Sequence, residues 1–361
     1  MKANSNLIKH NRSLALKSDS LSNQTPLNQE SSASSPVSRR EFLRAAGALT
    51  GAAAVGAVLP PAPGFSAPAG GALARRTLGR TKLDVTIMTL GAAPFGIADD
   101  VPVEEGVQIV REALEAGVNF IDTAPKYGKS EEVVGQALGA RRKDIVLATK
   151  VWADTLAEAE ASLAGSRKRL KTDWFDILYF HHLGDRKVDV ARNPDGVFTW
   201  LLKQKQAGHC RFVGVSGHNL PARFLPFIES GDVDVILVAL NFVDRYTYNF
   251  EETVLPLARK HNVGVVAMKA FGGPDNKTGS WGTRKAKPMV GVDRVELAIR
   301  YALSLPGVAT ANLGVHTIEQ FRQNLEIARR FQPLAAEEQE RLASAGRELA
   351  KEWGPHFGPA A

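Results

Sequence analysis

Short apolar, β-branched runs recur at a near-regular interval along most of this chain, separated by segments with helical spacing. The runs fall at residues 85–90, 119–122, 145–150, 175–181, 212–216, 233–240, 263–268 and 308–313. Between them, Val103, Val107, Val110 and Leu114 stand at i, i+4, i+7 and i+11, while residues 155–170 and 224–230 carry apolar faces of their own. Strands alternating with helices predict a parallel sheet, because parallel neighbours need a crossover between them. Such a rhythm over about 250 residues is the size of a (β/α)8 TIM barrel. A doubly wound open sheet competes with it. Against that sheet, Gly91-Ala-Ala-Pro-Phe-Gly96 after the first run lacks the Gly-x-Gly-x-x-Gly spacing that brings a pyrophosphate to a helix N-terminus. The predicted fold class is α/β, a (β/α)8 barrel over residues 73–353. A short hairpin at residues 76–85 precedes it, and helices at 317–331 and 335–353 follow the last strand. The one long gap, residues 271–292, is rich in Gly, Lys and Pro and predicts a loop over the active-site face.

Upstream of the barrel the composition changes. Residues 1–37 are Ser-, Asn-, Lys- and Gln-rich and predict disorder. From Ser38, the order Arg39-Arg40-Glu41-Phe42-Leu43-Arg44, an Ala/Gly-rich apolar run to Leu59, and small residues to Ala69 has the layout of an export signal. It resembles a twin-arginine signal, which implies a periplasmic or exported protein and the twin-arginine machinery as a partner. An uncleaved, membrane-tethering anchor is the alternative. The net charge of +7 does not mark a nucleic-acid surface: residues 1–69 hold seven Lys/Arg against three Asp/Glu, which leaves +3 for the rest. A single cysteine, Cys210, excludes an internal disulfide and a cysteine-built metal cluster.

Chemistry-bearing residues gather where the runs end. Asp122 closes the second run, Tyr127 follows five residues later, and Lys150 closes the third. In a parallel α/β fold those positions share one face. A phenol is a weak acid near neutrality, and an adjacent ammonium favours its ionised form. Lys150 is placed to supply that charge, with Asp122 as its counter-ion. The fourth run ends in His181-His182, and the fifth in Ser216-Gly217-His218.

With these residues in view, the chain resembles the aldo-keto reductase superfamily from Arg76 to Leu325. The resemblance implies the barrel, a nicotinamide cofactor (NADP or NAD), no metal, and a catalytic tetrad of Asp122, Tyr127, Lys150 and His181. His181 fits the family spacing better than His182. It further implies cofactor contacts at Ser216, Asn241, Met268, Gly314, His316, Gln320 and Asn324, with Met268 or Phe271 taking the place of a stacking aromatic. Gly217 stands where the family often has Asn. Neither Gly314 nor Gln320 is cationic, so a preference for NADPH does not follow. Trp152 and Trp281 are candidate walls of the substrate pocket.

The implied reaction is reduction of an aldehyde or ketone, or its reverse, with Tyr127 as proton donor and His181 orienting the carbonyl. Two other readings stand beside it. A Schiff-base lyase would use Lys150 as nucleophile and leaves Asp122, Tyr127, Ser216 and Asn241 without coordinated roles. An exported cofactor-binding or sensor protein would keep the fold with little turnover.

Overall fold

The computed structural model describes residues 71–361, so the expectations for residues 1–37 and 38–69 concern residues outside that range. The hairpin is present: β1 (Arg75–Thr77) pairs antiparallel with β2 (Asp84–Thr86). Its turn lies against the barrel. Gly79 adopts φ +48°, and a Cβ there would press into the backbone of Val263 and Gly264, so glycine is required on both counts.

The run at residues 85–90 is two strands. Thr86 Oγ1 donates to Met88 O at 2.8 Å, and the Asn119 side chain accepts from Thr86 N at 2.8 Å, which fixes a bend at Ile87. Beyond it the barrel begins. Its strands are β3 (Met88–Gly91), β4 (Phe120–Asp122), β5 (Val146–Val151), β6 (Phe175–Phe180), β7 (Cys210–Gly217), β8 (Val235–Ala239), β9 (Gly264–Met268) and β10 (Val308–Gly314). They close in sequence order, all parallel, with β10 pairing both β9 and β3. The crossing helices are α1 (Val103–Glu115), α2 (Ser130–Leu138), α3 (Leu156–Leu170), α4 (Val197–Gln206), α5 (Leu225–Glu229), α6 (Leu255–Lys260), α7 (Val295–Ser304) and α8 (Ile318–Arg329). An added α9 (Ala336–Trp353) packs Leu342 against Phe242, Val243 and Tyr301. Where caps form they follow ordinary rules: Thr155 and Glu158 make a reciprocal capping box at α3.

Strand alternation decides what faces inward. Phe120, Val146, Ala148, Ile177, Tyr179, Val235, Leu237 and Val266 fill the barrel with the hairpin's Leu78, Leu83 and Val85, whereas Leu147, Leu178, Phe180, Ile236 and Val238 meet the helices. Continued upward by twos, the inward rows arrive at Asp122, Lys150, His181, Ser216 and Met268. The lone Cys210 is buried, and burial pushes its thiol up to about 12.

Two segments cover the C-terminal mouth. Residues 271–292 are tied down at Pro274 and Pro288 by an isolated bridge and reach the β3–α1 connection, where Arg284 N donates to Asp100 at 2.7 Å, and the first turn of α1, where the Arg284 guanidinium meets Glu105 at 2.8 Å. The second segment is the tail after Trp353, which the sequence did not mark. It folds back so that Phe357 N donates to the Tyr248 hydroxyl at 2.6 Å and that hydroxyl donates to Gly358 O at 3.2 Å.

Candidate active site

The segment after β4 is anchored on both sides of Tyr127. Thr123 and Ser130 share a hydroxyl–hydroxyl bond of 2.8 Å, and the Ser130 hydroxyl also donates to Ala92 O at 2.7 Å. Glu131, fully buried, accepts from the Thr149 hydroxyl at 2.6 Å and pairs with Arg169 at 2.7 Å. Between these anchors a Cβ on Gly96 would collide with the backbone carbonyl of Tyr127, so the loop passes backbone to backbone. Tyr127 is thereby held half-buried beside Lys150, whose ammonium lies 4.9 Å from its ring centre.

The Lys150 ammonium is buried. It donates to both Asp122 oxygens at 2.6 Å and to Thr123 O at 2.8 Å, while Asn312 Nδ2 donates to the same carboxylate at 2.9 Å. Burial and the ion pair act in opposite directions on both partners. For Lys150 the attraction of Asp122 wins and its pKa is raised, keeping it charged. For Tyr127, burial outweighs the favourable charge of Lys150 and the phenol stays above its ordinary value. The expected lowering by Lys150 is therefore present as a force but not as the net result. At neutral pH the group is a phenol with a proton to give.

His181 follows β6 and presents its ring edge-on to Tyr127, with centroids 5.7 Å apart. Burial and the charge of Lys150 hold its pKa well below the ordinary value, so the ring is neutral; its Nδ1 has no hydrogen-bond partner within the protein. Its neighbour His182 turns away. It adopts φ +63°, its ring lies 4.8 Å from His218, and it pairs with Asp185 at 3.2 Å. Of the two histidines, His181 is the one whose ring meets Tyr127. Trp152 stands against His181 at 5.2 Å and His182 at 5.6 Å, with Arg186 4.4 Å from its ring centre, so it forms a wall beside the tetrad.

The residues expected at a nicotinamide divide into free and engaged groups. Ser216 accepts from His182 N at 3.2 Å, which leaves its own hydroxyl hydrogen to donate. Asn241 is committed: its amide nitrogen donates to Asp244 at 2.6 Å and Lys269 O at 3.0 Å, and its oxygen accepts from Val243 N and Asp244 N. A carboxamide contact there requires one of these bonds to exchange. Gly217 has a local reason, since a Cβ would approach Phe224 to 3.0 Å. Met268 tops an inward row, and Phe271 is half-buried nearby in the chain.

At the far end, Gly314 is exposed, and a Cβ there would meet Pro94 at 3.2 Å and Gly91 O at 3.8 Å. Gln320 accepts from His316 N at 2.8 Å, Thr317 caps α8, and Asn324 is buried within it. The His181 nitrogen without a partner, the Ser216 hydroxyl with a hydrogen to donate and the exposed Gly314 backbone are groups that would suit a nicotinamide nucleotide. No group of His, Cys, Asp or Glu able to hold a metal occurs among the described residues.

Further residues at this mouth had no role assigned from the sequence. Lys269 directly follows Met268, one residue past the end of β9 and out of phase with its inward row. Arg284 is a cation of the long loop whose charge acts on His316, and it is clamped by Glu105 at 2.8 and 3.1 Å. His218 and Phe357 pack ring to ring at 5.1 Å. For Phe357 no local pattern exists, because its contacts depend on the tail folding back.

Comparison with known proteins agrees with the geometry. The profile of the aldo/keto reductase family matches residues 87–279. An uncharacterized oxidoreductase, YqkF of Bacillus subtilis (strain 168), is 29% identical over 295 residues, covering 70% of this chain and 90% of that protein. The L-galactose dehydrogenase of Arabidopsis thaliana is 28% identical over 295 residues, covering 73% of this chain and 91% of that enzyme. Among solved structures, the holo form of the aldo-keto reductase AKR11C1 from Bacillus halodurans superposes with a TM-score of 0.62 at 26% identity, covering 79% of this chain and all of that one.

Proposed function

This chain belongs to the aldo/keto reductase family and is an NAD(P)-dependent oxidoreductase, and from that premise we propose that it reduces an aldehyde or ketone with Tyr127 as the proton donor. The observation that carries the reading is the Lys150 ammonium fixed at 2.6 Å by both oxygens of Asp122 beside a protonated, half-buried Tyr127.

A bound nicotinamide supplies hydride to the carbonyl carbon. The protein's own residues handle the oxygen. Negative charge grows on that atom as the carbon is reduced, and a donor aimed at it lowers the barrier. Tyr127 gives the proton and becomes a phenolate, which the adjacent ammonium stabilises. Asp122 and Thr123 O hold that ammonium in place, so Lys150 is a positioning and charge-supplying residue. Neutral His181 offers a second hydrogen bond to the carbonyl without competing for the proton. Trp152 and the 271–292 loop exclude water.

Replacement Tyr127→Phe tests this. Losing a general acid costs roughly 10²–10⁴-fold in turnover. The expected result is that loss in kcat, with nucleotide affinity retained. A variant that keeps turnover would remove Tyr127 from the mechanism.

We further propose export by the twin-arginine route, supported by Arg39-Arg40 before Phe42-Leu43 and the Ala/Gly-rich run. Cell fractionation is the check: the paired change Arg39→Lys, Arg40→Lys retains the protein inside the cell if the reading holds.

A further inference from the structure

Lys269 is an unpaired cation held at the centre of the mouth. Its backbone lies at φ +57°, a conformation that non-glycine residues adopt only where the surroundings impose it. Here two donors impose it: Asn241 Nδ2 at 3.0 Å and Gly272 N at 2.8 Å both reach the Lys269 carbonyl. The side chain is aimed by the same contacts. Its ammonium stands 3.6 Å from the centre of the Trp281 ring and 5.9 Å from that of Phe357. No carboxylate pairs with it among the described residues, although other cations nearby are matched, Arg186 by Asp154 and Arg284 by Glu105.

The neighbours that feel its charge are His181, His182 and His218. With burial, Lys150 brings the Lys269 ammonium down to about 7. A half-buried cation beside the Lys150 charge, covered by aromatic rings, is poorly solvated and lacks an anion. Cation–π contact replaces part of the lost hydration but supplies no charge of opposite sign. The surroundings also indicate where an anion would lie. Phe357 packs on His218, His218 on His182, His182 on Trp152, and Trp152 on His181. One continuous aromatic surface therefore runs from Lys269 to the tetrad.

We propose that Lys269 is the anchor for an oxyanion carried by the ligands of this site, a carboxylate on the carbonyl substrate or a phosphate of the nucleotide. The proposal rests on the reductase reading for which ligands are meant, but not for whether an oxyanion binds. Such a ligand displaces Trp281 from the ammonium and takes a charge-assisted hydrogen bond in its place.

The test compares wild type with Lys269→Met, Lys269→Gln and Lys269→Arg, each checked for fold by circular dichroism. One arm measures affinity for ADP-ribose by tryptophan fluorescence, with no turnover involved. The other measures the ratio of kcat/KM for 4-carboxybenzaldehyde to that for methyl 4-formylbenzoate, in which a general loss of activity cancels. A lost charge-assisted hydrogen bond is worth roughly 10–100-fold. The neutral variants are expected to lose that factor in one arm, and Lys269→Arg to keep most of it. A fall confined to the acid-to-ester ratio assigns the substrate's carboxylate. A fall confined to ADP-ribose assigns the nucleotide. Folded neutral variants unchanged in both arms would overturn the proposal. A protein that loses ADP-ribose affinity with Lys269→Met yet never oxidises a nicotinamide would keep this inference and sink the reductase reading.

Discussion

The two ends of the barrel treat buried charge in opposite ways. At the N-terminal end, Asp176 accepts from Leu147 N at 2.9 Å, Arg142 at 3.0 Å and Arg211 at 2.8 Å, and Asp234 accepts from Val213 N at 3.0 Å and Lys205 at 2.6 Å. Each carboxylate takes a backbone donor from a neighbouring strand as well as cations, so charge there joins strands together. At the C-terminal end, Lys150 and Asp122 satisfy each other, but the Tyr179 hydroxyl, His181 Nδ1 and the Lys269 charge are left without partners. A buried polar group without a partner costs stability. Unpartnered groups facing the mouth are what a preformed ligand site looks like, and the carboxylates that tie strands together at the opposite end supply the rigidity that keeps it preformed.

The sharpest way to break this comparison is to remove one charge from each end. Lys150→Met takes the cation from beside Tyr127, and kcat is expected to fall roughly 10²–10⁴-fold. It also strands Asp122, whose pKa burial already raises, so the carboxyl protonates and only part of the ion pair's worth is lost in stability. Asp176→Asn at the other end strands Arg142 and should cost about 3–5 kcal/mol of stability. Its kcat per folded molecule should match wild type. Chemical denaturation with active-site titration separates the two quantities, and an Asp176 variant that is stable but inactive would erase the distinction.

Lys269→Met carries the opposite sign. Because the folded-state pKa of Lys269 is about 7, below the ordinary lysine value, the unfolded chain binds more protons above pH 7 and wild-type stability rises with pH from there toward about 10.4. Below pH 7 the penalty is present in full. The variant should therefore be more stable than wild type at pH 6, on the order of 1 kcal/mol given that water reaches this half-buried group, with the gain fading as pH rises through that window. Melting temperatures across pH measure it, and a variant less stable at pH 6 would show that the ammonium is structural. The smallest effect is expected at Glu105→Gln, which frees Arg284 beside His316. NADPH affinity should improve a few-fold relative to NADH, about 1 kcal/mol or less for an exposed charge contact. Parallel titration of the two nucleotides reads the ratio.

The barrel and the strand-end placing of the candidate tetrad were legible in the sequence for the same reason. Period-two alternation ends each strand with an inward residue at a fixed height, so Asp122, Lys150 and His181 announce themselves by where the apolar runs stop. Lys269 carried no such signal: it stands one residue past Met268, out of phase with that inward row, and reaches the mouth only because its backbone turns to φ +57°. Other features were not legible because they arise from contacts distant in sequence. The split of residues 85–90 depends on Asn119, the engagement of Asn241 depends on Asp244 and Lys269, and Phe357 reaches the mouth only through Tyr248. The net pKa of Tyr127 was hidden likewise: an adjacent lysine can be read from spacing, but the burial that outweighs it cannot.

Carbonyl reduction through Tyr127 is tested by titrating residues 70–361 with NADPH and NADH, following tryptophan quenching, and then adding an aldehyde while nicotinamide absorbance is recorded. Quenching followed by aldehyde-dependent oxidation of the nucleotide, abolished by Tyr127→Phe without loss of quenching, is the predicted result. Absence of quenching by either nucleotide would contradict it.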